Sequence, residues 1–215
     1  MKLSITLITI CIAVFVIEIF SLPLLGITQE QFFDEFAFST NNLFERPWTI
    51  VTSIFVHGDL AHILSNIIIL FFFCVELEEE IGWKRTLAIF VLGAFAGHFM
   101  SIFYYAPSVL SVGASAGIFG LIGAGILITP FSMKLPNPIP LALMGIAYAF
   151  YNIVGFFSGP SEISYIAHFG GLLIGLAYGF HKKDMKKGLK LIIIFSLIFI
   201  ALMITIPIIL KLIFV

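Results

Sequence analysis

The amino-acid sequence predicts an all-α protein that crosses a membrane several times, with a core of six transmembrane helices and a seventh after it. Of its 215 residues, 60% are hydrophobic and 11% are charged, whereas a soluble domain has about 45–50% apolar and about 25% charged residues. The apolar residues also fall in runs close to the length, about 20 residues, that a helix needs to cross the hydrocarbon core. A formal net charge of −1 gives no indication of nucleic-acid binding.

Polar and proline-containing breaks separate the apolar runs. The clearest breaks are the prolines between residues 130 and 140 and the basic segment between 181 and 190. The predicted helices lie at roughly 3–22, 60–78, 85–105, 115–129, 139–158, 164–181 and 189–214. They divide the chain into a six-helix unit at 1–181, a basic linker at 182–188 and a seventh transmembrane helix at 189–215.

The distribution of lysine and arginine predicts the orientation, because these residues are enriched in cytoplasmic loops. With the N-terminus inside, only Arg46 and Lys211 of the 11 basic residues lie outside. The residues inside are Lys2, Lys84, Arg85, Lys134, Lys182, Lys183, Lys186, Lys187 and Lys190. We therefore expect an integral protein of the cell membrane with a cytoplasmic N-terminus.

The first outer connection, about residues 23–56, mixes aromatic and charged side chains. Phe32 and Phe33 stand directly beside Asp34 and Glu35. This mixture is typical of short amphipathic helices that lie in the membrane interface. The alternative is an ordinary loop.

Neither a metal site nor a disulfide is predicted. Cys11 and Cys74 lie in separate apolar runs, whereas zinc needs clustered ligands. A disulfide within the hydrocarbon is not expected, so both cysteines are interpreted as small apolar side chains.

Polar residues at membrane depth are costly and indicate functional sites. His62 and Asn66 are four residues apart, so they share one face of the second predicted helix. His57 lies just before that helix. The alternative role for His62 and Asn66 is hydrogen bonding between helices. For Glu18, His98 and Asn152 we expect either interhelical hydrogen bonding or exposure at the membrane interface.

The sequence Gly113-Ala114-Ser115-Ala116-Gly117 opens a helix that is too short to span the membrane. From Ser115 to Thr129 it would measure about 22 Å, against about 30 Å of hydrocarbon. Its start should therefore lie below the membrane surface, beside a water-filled cavity. The alternative is that the small residues serve only close helix packing.

His168 lies at the outer end of a stripe of glycines on the sixth predicted helix. His168, Gly171, Gly175 and Gly179 share one face of the sixth predicted helix. If that face contacts the fourth helix, His168 and Ser115 meet at one depth. Histidine is the usual base that activates a serine hydroxyl for nucleophilic attack.

Acyl transfer also needs hydrogen-bond donors for the developing oxyanion. The candidates are the backbone N–H of Ser115 and the side chains of His62 and Asn66. No carboxylate falls at the depth of His168, so we predict a Ser–His dyad. Its imidazole should be held by packing, for which Phe119 is placed one turn below Ser115.

These residues resemble the motifs of the rhomboid family of intramembrane serine proteases. Gly113-Ala114-Ser115 is similar to the start of its Gly-x-Ser-Gly motif. His168 with Gly171 and Gly175 resembles its His-x-x-Gly-x-x-x-Gly motif. The set His57, His62 and Asn66 matches its pattern on the second helix. Departures are Ala116 in place of the glycine after the serine, Phe119 where many members have tyrosine, and Thr49 in place of a loop arginine.

The resemblance implies a prokaryotic-type member with a rhomboid-like six-helix core, at 1–181, and a seventh helix. It implies an endopeptidase that cuts single-pass transmembrane substrates near the outer face, with membrane lipid around it and with no metal or cofactor. The fifth helix would be the lateral gate. Two alternatives stay open, a non-catalytic rhomboid-like protein that binds transmembrane clients, and a channel or transporter. The oligomeric state is not predicted.

Overall fold

The computed structural model describes residues 2–133, 139–158 and 163–214, and within these ranges the secondary structure is helical. The helices are α1 (Lys2–Val16), α2 (Leu22–Leu24), α3 (Gln29–Phe36), α4 (Thr49–Thr52), α5 (Leu60–Ile81), α6 (Trp83–Tyr104), α7 (Ser115–Ile128), α8 (Leu141–Phe157), α9 (Tyr165–Lys182) and α10 (Met185–Phe214). A π-helical turn, Ile17–Ser21, joins α1 to α2. The predicted all-α class is confirmed. Lys134 and part of the predicted proline break, at 134–138, lie outside the described residues.

Among the residues that the structure describes, four helical segments are long and apolar enough to cross a membrane. They are Lys2–Leu24, Leu60–Ile81, Trp83–Tyr104 and Met185–Ile206. Three further helices complete the bundle. They are α7 with 14 residues, α8 with 17 and α9 with 18. The protein is therefore a multi-pass integral membrane protein, as its composition predicts.

The short helix α7 lies at the centre of the bundle. Every residue from Ala116 to Leu127 is buried, and α5, α6, α8 and α9 pack around it. The backbone of α9 approaches it directly. A Cβ added at Gly171 would overlap the carbonyl oxygen of Ala116, and one added at Gly175 would overlap the carbonyl oxygen of Gly120. The glycine stripe thus lets α9 and α7 meet without side chains between them.

The first long connection folds into α3 and α4, as its amphipathic pattern predicts. Thr28 caps α3 by accepting a hydrogen bond from the backbone of Gln31. Further along, Phe38 pairs with Ser111 through two backbone hydrogen bonds of 3.0 and 2.8 Å. The Ser53 carbonyl accepts a third, from the backbone N–H of Gly113, at 2.8 Å. The connection therefore holds the chain that leads into α7.

At the opposite end of α7, the segment between α9 and α10 contributes a cap. Only Lys183 and Asp184 separate the two helices. Nζ of Lys183 donates a hydrogen bond to the carbonyl oxygen of Leu127 at 2.7 Å, one of the last carbonyls of α7, which the helix itself leaves without a partner. Beyond this segment, α10 packs along α8, with Phe150 and Phe199 in ring contact at 5.4 Å.

Candidate active site

Ser115, the predicted nucleophile, is the first residue of α7. The chain enters this helix through Gly113, whose φ of +109° is unfavourable for residues with a side chain. A Cβ at Gly113 would also lie 2.6 Å from Nε2 of His62. Glycine is thus required here both by its backbone conformation and by the space. As one of the first residues of α7, Ser115 carries a backbone N–H that the helix itself does not use.

His168 lies against Ser115, because α9 contacts α7. Nε2 of His168 is 2.8 Å from Oγ of Ser115, a distance at which a neutral imidazole can accept the hydroxyl proton. The Phe119 ring stacks on the imidazole, with 4.4 Å between centroids and 10° between planes. His168 is itself buried. The structure therefore brings together the three residues that the sequence analysis proposed as nucleophile, base and packing partner.

The second nitrogen of His168 has a partner that the sequence analysis did not assign to the site. Nδ1 lies 2.7 Å from Oδ1 of Asn152 on α8. The amide nitrogen of Asn152 donates to the backbone carbonyl of Tyr165 at 3.1 Å. The expectation that packing alone holds the imidazole is therefore wrong, since a hydrogen bond from α8 also holds it. The signal in the sequence was a lone asparagine in an apolar run, for which interhelical hydrogen bonding was expected.

His62 and Asn66 lie on the face of α5 that meets the turn before Ser115. Asp59 caps α5 by accepting the backbone N–H of His62 at 2.8 Å. The amide of Asn66 donates to the His62 carbonyl at 2.9 Å, which leaves its second N–H for another acceptor. A Cβ at Gly113 would lie 3.8 Å from Nδ2 of Asn66, so both side chains flank the same turn.

His57 packs against His62. Its ring meets the ring of His62 edge-on, at 5.1 Å between centroids. Its Nδ1 lies 3.1 Å from the carbonyl oxygen of Phe55, to which a protonated Nδ1 donates. Burial, together with the neighbouring His62, lowers the pKa of His57 to about 4, so this ring is neutral near pH 7 and adds no charge beside His62.

A second serine–histidine contact lies nearby. Oγ of Ser53, at the end of α4, is 3.2 Å from Nε2 of His98 on α6. The Phe38 ring stacks on His98 at 4.2 Å. Ser53 has no exposed surface, and His98 is buried as well. The Ser53 carbonyl, as described above, holds the N–H of Gly113. We infer that the Ser53–His98 pair stabilises the turn before Ser115.

A cavity of about 270 Å³ lies between the segments that precede α7 and α9. Its wall includes Ser111 and Ser164, which precede Ser115 and His168 by four residues each, and Tyr105 at the end of α6. Ser115 and His168 themselves do not line this cavity.

Within residues 2–133, 139–158 and 163–214, no group of three or more His, Cys, Asp or Glu side chains is arranged to hold a metal ion. Cys11 and Cys74 are buried free thiols.

Comparison with known proteins identifies the family. The family model described as Rhomboid domain matches residues 45–185, more than half of the chain. RHOMBOID-like protein 5 of Arabidopsis thaliana is 32% identical over 136 residues, which cover 62% of this chain and 43% of that protein. Rhomboid-like protease 3 of Toxoplasma gondii is 28% identical over 154 residues, covering 67% of this chain and 57% of that protein.

The chain thus spans 43% and 57% of these two relatives. The matched region contains α5 to α9, on which Ser115, His168 and Asn152 lie. With the domain match covering the whole of the serine–histidine site, the protein belongs to the rhomboid family.

Proposed function

We propose that this protein is an intramembrane serine endopeptidase in which Ser115 is the nucleophile and His168 is the general base and acid. The observation that carries the proposal is the 2.8 Å contact between Oγ of Ser115 and Nε2 of His168 at the start of a buried helix too short to span a membrane. One relative, Rhomboid-like protease 3 of Toxoplasma gondii, is named as a protease, which agrees with this chemistry.

In the acylation step, Oγ of Ser115 attacks the carbonyl carbon of the scissile peptide bond while Nε2 of His168 takes the hydroxyl proton. The C–N bond then breaks, and His168 returns the proton to the leaving amine. This gives an acyl-enzyme ester on Ser115 and a free amine. A water molecule, deprotonated by the same Nε2, attacks the ester, releases the acid and restores the serine.

The negative oxygen of the tetrahedral intermediate needs donors in fixed positions. The backbone N–H of Ser115 is one donor, since it opens a helix and points along the positive end of the helix dipole. His62 and Asn66 are the others, since both flank the turn that leads to Ser115. His57 and Gly113 support them by packing against His62 and by making room for it.

The substrates we propose are proteins with a single transmembrane helix, cut near the outer face of the membrane at a small residue. The N-terminus of the enzyme lies in the cytoplasm, and Ser115 opens toward the outer side. Helix α8 is the side from which a substrate helix enters, because the side chains of Tyr151 and Phe157 are exposed along it.

The test is cleavage of a model transmembrane substrate by the full chain purified in detergent. Wild type should cleave, and Ser115→Ala and His168→Ala should not. A fluorophosphonate should label wild type at Ser115, located by mass spectrometry of the adduct. Cleavage that persists in Ser115→Ala, or substrate binding by wild type with neither cleavage nor labelling, would contradict the proposal. The second outcome would favour the non-catalytic alternative.

A further inference from the structure

We propose that Asn152 is a positioning residue which fixes the tautomer of His168, so that the catalytic pair is aligned only while α8 is docked against α9. The inference rests on the proposed function above and adds a third residue to the dyad. It also gives α8 a part in catalysis, because Asn152, which orients the base, belongs to this helix.

The orientation of the Asn152 amide follows from its two hydrogen bonds. The backbone carbonyl of Tyr165 can only accept, so the Asn152 atom that faces it, 3.1 Å away, is the NH₂ group. The amide oxygen must then face Nδ1 of His168, at 2.7 Å. An amide turned the other way would set two acceptors against each other at Tyr165.

The amide in turn decides which nitrogen of the imidazole carries the proton. Because Oδ1 of Asn152 can only accept, Nδ1 of His168 must carry the hydrogen. Nε2 then has a free lone pair, directed at the hydroxyl of Ser115 at 2.8 Å. The Phe119 ring stacks on the imidazole plane, but stacking does not distinguish one tautomer from the other. That selection comes from Asn152.

The bond also links the base to the position of α8. Asn152 is 1% exposed and points into the bundle, whereas the neighbouring Tyr151, Ile153 and Val154 are exposed. Close packing sets the distance between α8 and α9, since a Cβ added at Gly155 would overlap the Tyr165 ring. A displacement of α8 away from α9 therefore removes the acceptor from Nδ1 of His168.

Two nearly isosteric substitutions separate this role from simple packing. Asn152→Leu keeps the size of the side chain and removes the acceptor. Asn152→Asp keeps an oxygen toward Nδ1 and loses the donor to Tyr165. Val154→Ala, on the exposed face of the same helix, is the control for a general disturbance of α8.

The first measurement is the rate of Ser115 labelling by a small fluorophosphonate, which needs no substrate helix to enter. Asn152→Leu should slow labelling about 10²-fold, the order expected from misplacing a reacting group by about 1 Å. Asn152→Asp should recover part of that rate, and Val154→Ala should match wild type. In substrate cleavage, Asn152→Leu should lower kcat with KM nearly unchanged.

The second measurement is the ¹⁵N NMR spectrum of the full chain labelled at histidine, with His168 assigned from the His168→Ala spectrum. Wild type should show a single tautomer, protonated at Nδ1, and folded Asn152→Leu should show a mixture. Wild-type labelling rate and an unchanged tautomer in folded Asn152→Leu would overturn the inference while leaving the proposed function intact. Absence of labelling in wild type itself would count against the proposed function instead.

Discussion

Two serine–histidine contacts in the described part of the chain have similar distances and different surroundings. Oγ to Nε2 measures 2.8 Å for Ser115 and His168, and 3.2 Å for Ser53 and His98. In each pair a phenylalanine ring, Phe119 or Phe38, stacks on the imidazole. A contact between a hydroxyl and an imidazole is therefore not enough to identify the proposed catalytic pair.

The difference lies in the backbone around each serine. Ser115 begins α7, so unused N–H groups surround it and can stabilise an oxyanion. Ser53 ends α4, and its carbonyl is engaged with the N–H of Gly113. Ser53 also has no exposed surface. The proposed catalytic pair thus has backbone N–H donors beside its serine, whereas Ser53 holds the turn that leads into α7.

The largest expected effect compares the two serines directly. Ser115→Ala should lower kcat by more than about 10⁴-fold, because no nucleophile remains. Ser53→Ala should stay within about tenfold of wild type, since its backbone carbonyl, which holds Gly113, is unchanged. Both are measured by cleavage of the same transmembrane substrate. A loss in Ser53→Ala as deep as that in Ser115→Ala would mean that the roles of the two pairs have been assigned wrongly.

The next effect tests the donors that distinguish the Ser115 site. Asn66→Ala should lower kcat by about 10²–10³-fold, the usual cost of removing one oxyanion donor. KM should change little, because the donor acts mainly on the transition state. Steady-state kinetics on folded protein measures both. Unchanged turnover would reassign Asn66 to packing on the turn before Ser115.

A smaller effect is expected from the turn itself. Gly113→Ala places a Cβ at a positive φ and against the imidazole of His62, so we expect kcat to fall about 10–10²-fold through displacement of donors and nucleophile. Gly58→Ala is the matched control, because a Cβ there meets no atom within 4 Å and its φ is not in the positive range. Equal losses in both variants would show that this region tolerates no added methyl group for reasons unrelated to the site.

The smallest effect on catalysis is expected from the second pair. His98→Ala leaves the buried hydroxyl of Ser53 without its partner and the Phe38 ring without its stacking surface. We expect a loss of about 1–3 kcal/mol of stability, seen as a lower thermal unfolding midpoint in detergent. The turnover of the folded enzyme should change less than about tenfold. A normal unfolding midpoint with lost turnover would instead give His98 a part in catalysis.

The centre of the site could be predicted from the sequence because it depends on helix periodicity. The spacing of His168, Gly171 and Gly175 defines one face of a helix, and the small residues after Ser115 define the surface that receives it. The early end of α7 at Ile128 follows from Pro130. Each of these features can be read from a short stretch of sequence. The contact between α7 and α9 then requires only that the small residues of the two helices face each other.

The parts that sequence reasoning missed depend on how separate elements are aligned. Asn152 reaches His168 only because of the depth and rotation of α8, which the sequence of that helix does not encode by itself. Ser53 lies in an irregular segment with no periodicity, and its partner His98 is on α6. Serine and asparagine are also common residues, so neither carries a recognisable motif.

The complete burial of α7 has a consequence for how the proposed protease responds to its bilayer. A transmembrane helix that touches lipid tilts or deforms the membrane when its length does not match the hydrocarbon thickness. From Ala116 to Leu127, α7 touches only protein, so the helix that bears Ser115 is insulated from hydrophobic mismatch despite its 14 residues. Any dependence of the proposed activity on acyl-chain length must therefore enter through the helices that expose apolar side chains, which include α1, α5, α6, α8 and α10. It reaches Ser115 only through their contacts with the core.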